Sequence, residues 1–107
     1  LMKVVFFGTP SFAADILTFL LENEITVVGV ISRPDKPSGR SRHPVPGPVK
    51  LVAEAANIPL FQPEKVSSPD FLPTLKSFDA DLFVVVAYGE IMSQAVLDVP
   101  HLACVNV

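Results

Sequence analysis

The sequence has no tryptophan, one tyrosine and a single cysteine, Cys104. One cysteine cannot close an internal disulfide, so nothing ties the chain to an oxidising compartment. Cys104 stands between Ala103 and Val105 in an apolar run, the setting of an inert buried thiol rather than of a nucleophile. Charge is sparse. Only 18% of residues are charged and 50% are apolar, which excludes a disordered segment and suits a sheet-rich interior. Long apolar runs are missing as well. Between Val4 and Leu21 the chain is interrupted by Gly8, Thr9, Pro10, Ser11 and Asp15, so no stretch reaches the roughly 20 residues of a membrane span. The unbroken run Val4 to Phe7 is shorter than a signal-peptide core of about 7 to 15 residues, and a cytoplasmic protein without membrane contact is expected. The two histidines, His43 and His101, lie in proline-rich turns with no neighbours at metal-ligand spacing. They read as solvated loop side chains, and no metal site is expected.

What is present is unevenly placed. The net charge is −3. From Arg33 to Lys50, however, five cations (Arg33, Lys36, Arg40, Arg42 and Lys50) face Asp35 alone, a net +4, while three lysines and ten carboxylates elsewhere leave −7. A basic loop on an acidic body implies a partner of negative charge. The segment from Pro34 to Pro48 holds five prolines and two glycines. It exceeds the roughly 2 to 6 residues of an ordinary strand-to-helix connection and is expected to be irregular. A bland surface loop would carry the same composition.

At 107 residues the chain is at most one domain. Val4–Phe7, Val27–Ile31, Leu60–Phe61, Leu82–Ala87 and Ala103–Val107 are short runs, apolar throughout, which predicts buried parallel strands rather than half-exposed ones. Helices are predicted between them. The first should run from an N-cap at Ser11 to about Glu22, since Phe12, Ile16, Leu20 and Ala13, Leu17, Leu21 form two rows on one face. The second should run from Pro48 to Ala56, with Asn57 in the left-handed position after it. The third, from Ser68 to Phe78, should start late or bend at Pro73, and a short fourth should span Gln94 to Leu97 behind Ser93. The sum is an α/β fold: an open, mainly parallel, doubly wound Rossmann-like sheet with helices on both faces. The chain ends inside a strand-like run, HLACVNV. It is therefore expected to be the front part of a larger protein, cut after the fifth strand.

Three stretches carry candidate chemistry. In VVFFGTPSFAADIL, Gly8, Thr9 and Pro10 follow the first strand and precede a helix amino end, the place where open parallel sheets bind ligands. The pattern is neither GxGxxG nor a phosphate-binding Walker loop, and a tight turn would use the same residues. In LFVVVAYGEIMS, the turn from Tyr88 to Met92 could read a flat heterocycle through its backbone, with Val85, Ile91, Met92 and Leu97 as apolar walls. Simple packing between helix and sheet is the alternative. Asn106 is polar within an otherwise apolar strand, where its amide could donate to a developing oxyanion or merely cap a turn.

Taken in order and spacing, MKVVFFGTPSFA, VVGVISRPDKPSGR, PVKLVAEAANIPLFQP, DADLFVVVAYGEIM and CVNV resemble the amino-terminal half of the formyltransferase domain of the methionyl-tRNA formyltransferase family. The resemblance covers nearly the whole chain. It implies a Rossmann-like fold, 10-formyltetrahydrofolate as formyl donor without a metal, and initiator methionyl-tRNA as acceptor in translation initiation. It also implies that residues 1–107 are the front of the catalytic domain of a monomeric enzyme. The rest of that domain and a carboxyl-terminal tRNA-binding domain would follow. Asn106 matches the asparagine of the family's catalytic set. A histidine two residues later and a distant aspartate would lie beyond Val107, so the chain alone is expected to be inactive. Val85, Tyr88, Gly89, Glu90, Ile91, Met92 and Leu97 match positions at the folate site. Gly8, Thr9, Pro10 and Phe12 would face the acceptor end and its methionine, and Lys36, Arg40 and Arg42 would meet phosphates of the acceptor stem. Formyltransferases of small substrates, such as glycinamide ribonucleotide or nucleotide-linked amino sugars, share the sheet and the asparagine, and a non-catalytic nucleotide-binding module would share the fold. The FFGTPSFA opening together with the long basic loop favours the tRNA enzyme over the small-substrate enzymes.

Overall fold

The computed structural model describes residues 1–37 and 42–107. In chain order the elements are β1 (Lys3–Gly8), α1 (Ser11–Glu22), β2 (Thr26–Ile31), β3 (Lys36–Pro37), β4 (Pro44–Val45), α2 (Pro48–Ala55), β5 (Leu60–Phe61), α3 (Leu72–Ser77), β6 (Leu82–Val86), α4 (Gln94–Leu97) and β7 (Ala103–Asn106). Five strands form one sheet in the order β5-β2-β1-β6-β7, and every neighbouring pair is parallel. The chain winds outward from β1 to β2 and β5, then crosses back to β6 and β7 on the other side. The reversal falls between β1 and β6, the topological switch point at which such sheets open a crevice.

The absence of alternation in the strands has its reason in two covered faces. On one, Val5, Phe7, Phe83 and Val85 pack with Leu75 of α3 and Val96 of α4. On the other, Phe6, Val30 and Val86 pack with Ala13, Ala14 and Leu17 of α1 and Val49 and Ala53 of α2. Consecutive residues of β1 thus serve opposite cores.

Several elements differ from the sequence expectation. Ser11 is the first helical residue of α1 and not its cap; Pro10 takes the cap position with φ −76° and ψ 176°, and no side chain caps the helix. The proline ring restricts φ and places the extended residue one position earlier. The helix α3 starts at Leu72 because Pro73 lacks an N–H and fits only the first turn. Asn57 is left-handed at φ 57°, and Ser93 Oγ accepts from the Val96 N–H at 3.4 Å, both as expected. The strand β6 ends at Val86, since Ala87 turns left-handed at φ 49°. The last strand is not buried. Within residues 1–107, β7 pairs with β6 alone, and its Ala103, Val105 and Asn106 are exposed. The basic segment is not wholly irregular either: β3 and β4 form an antiparallel ribbon pairing Lys36 with Val45 and Pro37 with Pro44. Of its cations, Arg40 lies outside the described residues.

Candidate active site

Parallel register brings the carboxyl ends of β1, β6 and β7 side by side: Gly8 pairs with Val86, and Val85 with Asn106. Gly8 leaves no room for a side chain unless its neighbours shift. A Cβ would stand 2.7 Å from Ala13 Cβ and 2.8 Å from the Val86 carbonyl oxygen. One residue on, Thr9 Oγ1 donates to the Tyr88 carbonyl at 2.9 Å and accepts the Arg33 N–H at 3.4 Å, so one hydroxyl ties together the exits of β1, β2 and β6.

Left-handed residues on either side of Tyr88, Ala87 at φ 49° and Gly89 at φ 95°, turn the chain over the sheet edge. Tyr88 is thereby sent inward. Its ring meets Phe7 edge-on at 5.7 Å and is fully buried, so toward a ligand Tyr88 offers no side chain. Its hydroxyl makes no hydrogen bond of full geometry among the described residues, and the Glu90 carboxylate is the polar group close to it. Burial, and then the nearby Glu90 charge, push the phenol well above its ordinary pKa. It is a neutral packing group.

Two clefts open along this edge. The first, about 380 Å³, is bordered by Thr9, Pro10, Arg33, Asp35, Lys36 and Gly47 among others. Its floor is a polar cluster in which Asp35 accepts from Lys50 Nζ at 2.8 Å and from Gln62 Nε2 at 2.7 Å. The Lys50 bond, then the Gln62 bond, hold the Asp35 carboxyl below the usual carboxylate range. Gly8 lies buried behind the wall, and Phe12, exposed on α1, does not border this cleft. Lys36 and Arg42 are exposed, Arg42 in a left-handed conformation at φ 56°.

The second cleft, about 360 Å³, is bordered by Val85, Glu90, Ile91, Met92, Leu97, Cys104 and Asn106. Its apolar walls are unusually open: Ile91 is 93% exposed and Leu97 36%. Asn106 stands at its edge, exposed, where β7 leaves the sheet. Glu90 does not point freely into it. Its Oε2 accepts from Arg33 Nη1 at 2.6 Å and its Oε1 from the Val66 backbone N–H at 2.7 Å. Cys104 lines the cleft with its thiol pKa raised by burial, which keeps it protonated and a poor nucleophile. Among the described residues no cluster of three or more His, Cys, Asp or Glu is placed to hold a metal, and no helix is long and apolar enough to cross a membrane.

A family model described as formyl transferase matches residues 2–107. The chain belongs to the formyl transferase family. It is similar to the methionyl-tRNA formyltransferase of Protochlamydia amoebophila, 64% identical over 105 residues that cover 98% of the chain and 33% of the relative. The enzyme of the same name from Chlamydia caviae is 53% identical over 98% of the chain and 33% of the relative. That of Thermotoga maritima is 46% identical over 99% and 34%. The chain thus spans about a third of the length of the curated relatives it matches.

Within the family fold, the structure brings Asn106, Val85, Ile91, Met92, Leu97 and Glu90 to one cleft and Thr9, Pro10 and Lys36 to its neighbour. It leaves Gly8, Phe12, Arg42 and Gly89 outside both linings, and it turns the side chain of Tyr88 away from both. Sequence reasoning missed Asp35, Lys50 and Gln62, which act as one cluster, and the pairing of Arg33 with Glu90. A signal for the first was available, since Asp35 is the lone anion of a basic segment.

Proposed function

We propose that the full-length protein transfers a formyl group from 10-formyltetrahydrofolate to the α-amine of initiator methionyl-tRNA. The second cleft would receive the donor and the first the methionine-bearing acceptor end. What supports this most is the placement of Asn106 at the edge of a cleft with open apolar walls, in a chain of the formyl transferase family. The donor fits that cleft chemically: Val85, Ile91, Met92 and Leu97 offer apolar surface for a flat heterocycle, and the turn from Tyr88 to Met92 offers backbone groups for its polar edge. Bound there, it supplies an electrophilic formyl carbon.

The chain's own residues would do the following. The exposed side chains of Ile91 and Leu97 would pack on the ring system and shield the reacting carbon from water. The Asn106 amide makes no hydrogen bond to the described residues, so it is available to donate to the formyl oxygen as that oxygen becomes an oxyanion. Attack by the amine forms a new C–N bond, the bond from carbon to the folate nitrogen breaks, and the proton shed by the amine is matched by one delivered to the departing nitrogen, directly or through solvent. Lys36 and Arg42, both exposed, would draw the acceptor stem to the first cleft, and Arg40 would join them. Such a protein works in the cytoplasm and as a monomer.

The test is transfer of formyl from the folate donor to methionyl-tRNA by the full-length protein, wild type and Asn106→Ala. The wild type should formylate the tRNA, and loss of the amide should lower kcat by about a hundredfold or more. Transfer only to glycinamide ribonucleotide or an amino sugar, or an unimpaired variant, would reject the assignment.

A further inference from the structure

We infer that Arg33 and Glu90 are a positioning strut: on the formyl-transfer reading above, they hold the turn beside the second cleft in the shape that binds the donor. Glu90 borders that cleft, yet each of its oxygens is already engaged, one by Arg33 Nη1 at 2.6 Å and one by the Val66 N–H at 2.7 Å. It therefore acts on a ligand through the turn it holds rather than by contact. Arg33 is itself anchored from three directions. Its N–H donates to Thr9 Oγ1 at 3.4 Å, its carbonyl accepts from Gln62 Nε2 at 3.1 Å, and its guanidinium reaches the Glu64 carbonyl at 3.4 Å. The strut thus joins the segments that leave β2, β5 and β6.

The turn needs such a hold. Ala87 and Gly89 are both left-handed, and although Tyr88 and Met92 pack into the core, Ile91 between them is almost wholly exposed within residues 1–107, so apolar packing holds the ends of the turn but not its middle. The ion pair can supply the restraint because its side chains are only 29% and 17% exposed, which limits screening by salt. Removing either partner leaves the other charge partly buried without compensation.

The test uses the full-length protein as Arg33→Met, Glu90→Gln and the double variant. Glu90→Gln retains an acceptor for the Val66 N–H, so it folds even if Arg33→Met does not. Without ligand, amide hydrogen exchange in residues 88–92 should quicken about five- to tenfold in either single variant, with little further change in the double, while exchange at Val66, whose acceptor Glu90→Gln retains, should change less in that variant. With saturating methionyl-tRNA, the KM for 10-formyltetrahydrofolate should rise about five- to tenfold while kcat changes less. Unchanged exchange in both single variants overturns the strut. Faster exchange with an unchanged donor KM overturns its role in positioning. If the wild type transfers no formyl group, the functional assignment fails, and the exchange measurement alone decides whether the strut exists.

Discussion

A single added methyl group at Gly8 would meet three neighbours at once: Ala13 Cβ at 2.7 Å, Phe6 Cε2 at 2.8 Å and the Val86 carbonyl oxygen at 2.8 Å. Two of these belong to rigid elements, the start of α1 and the end of β6, so the clash is relieved only by parting the helix from the sheet. Gly8→Ala should therefore destabilise the protein by about 1–3 kcal/mol, seen as a lower urea midpoint with an unchanged slope. A midpoint equal to the wild type would mean that α1 shifts freely on the sheet. Thr9 is placed differently. Its hydroxyl is spent on the Tyr88 carbonyl and the Arg33 N–H, which makes it part of the wall between the clefts as well as a lining residue of one.

The junction of β3 with α2 depends on titratable groups. Asp35, which precedes β3, pairs with Lys50 of α2. The Lys50 and Gln62 bonds lower the Asp35 pKa, so its stabilisation is present above the unfolded value of about 3.9 and fades as pH falls through the lower folded value. The Asp35 bond raises the Lys50 pKa, so that contribution is full below about 10.4 and fades as pH rises through the higher folded value. Lys50→Met should accordingly flatten both the acid and the alkaline limb of a plot of Tm against pH. Two limbs as steep as those of the wild type would show that the pair adds nothing. Such pairings were the least legible part of the chain. The unbroken apolar runs of β1, β2 and β6 announced burial on both faces, and Pro73 announced the late start of α3. The strand β7 has the same apolar character, and within residues 1–107 it pairs with β6 alone, so its outer edge stays exposed. Arg33 and Glu90 stand 57 residues apart, and only the crossover from β2 back to β6 makes them partners. Asn106 was legible as a polar residue out of place, whereas the exposed wall beside it required the geometry of the turn.

Folding redistributes the charge that the sequence displays. Of the five cations between Arg33 and Lys50, Arg33 is matched by Glu90 and Lys50 by Asp35, leaving Lys36 and Arg42 as the exposed ones among the described residues. The attraction of the molecule for a polyanion should rest on those two and on Arg40, and not on the segment as a whole. In the full-length protein, replacing Lys36 and Arg42 with alanine should weaken methionyl-tRNA binding and lower the slope of log K against log salt by roughly 1 to 2. An identical slope would place the tRNA on another surface. The salt bridge between Arg33 and Glu90 has a geometric corollary as well. Because one partner faces each hollow, occupants of the two sides would stand a single layer of side chains apart. If the two sides receive the two reactants of the proposed transfer, such nearness would turn an encounter between dissolved molecules into an event within one complex, an entropic advantage supplied by the scaffold.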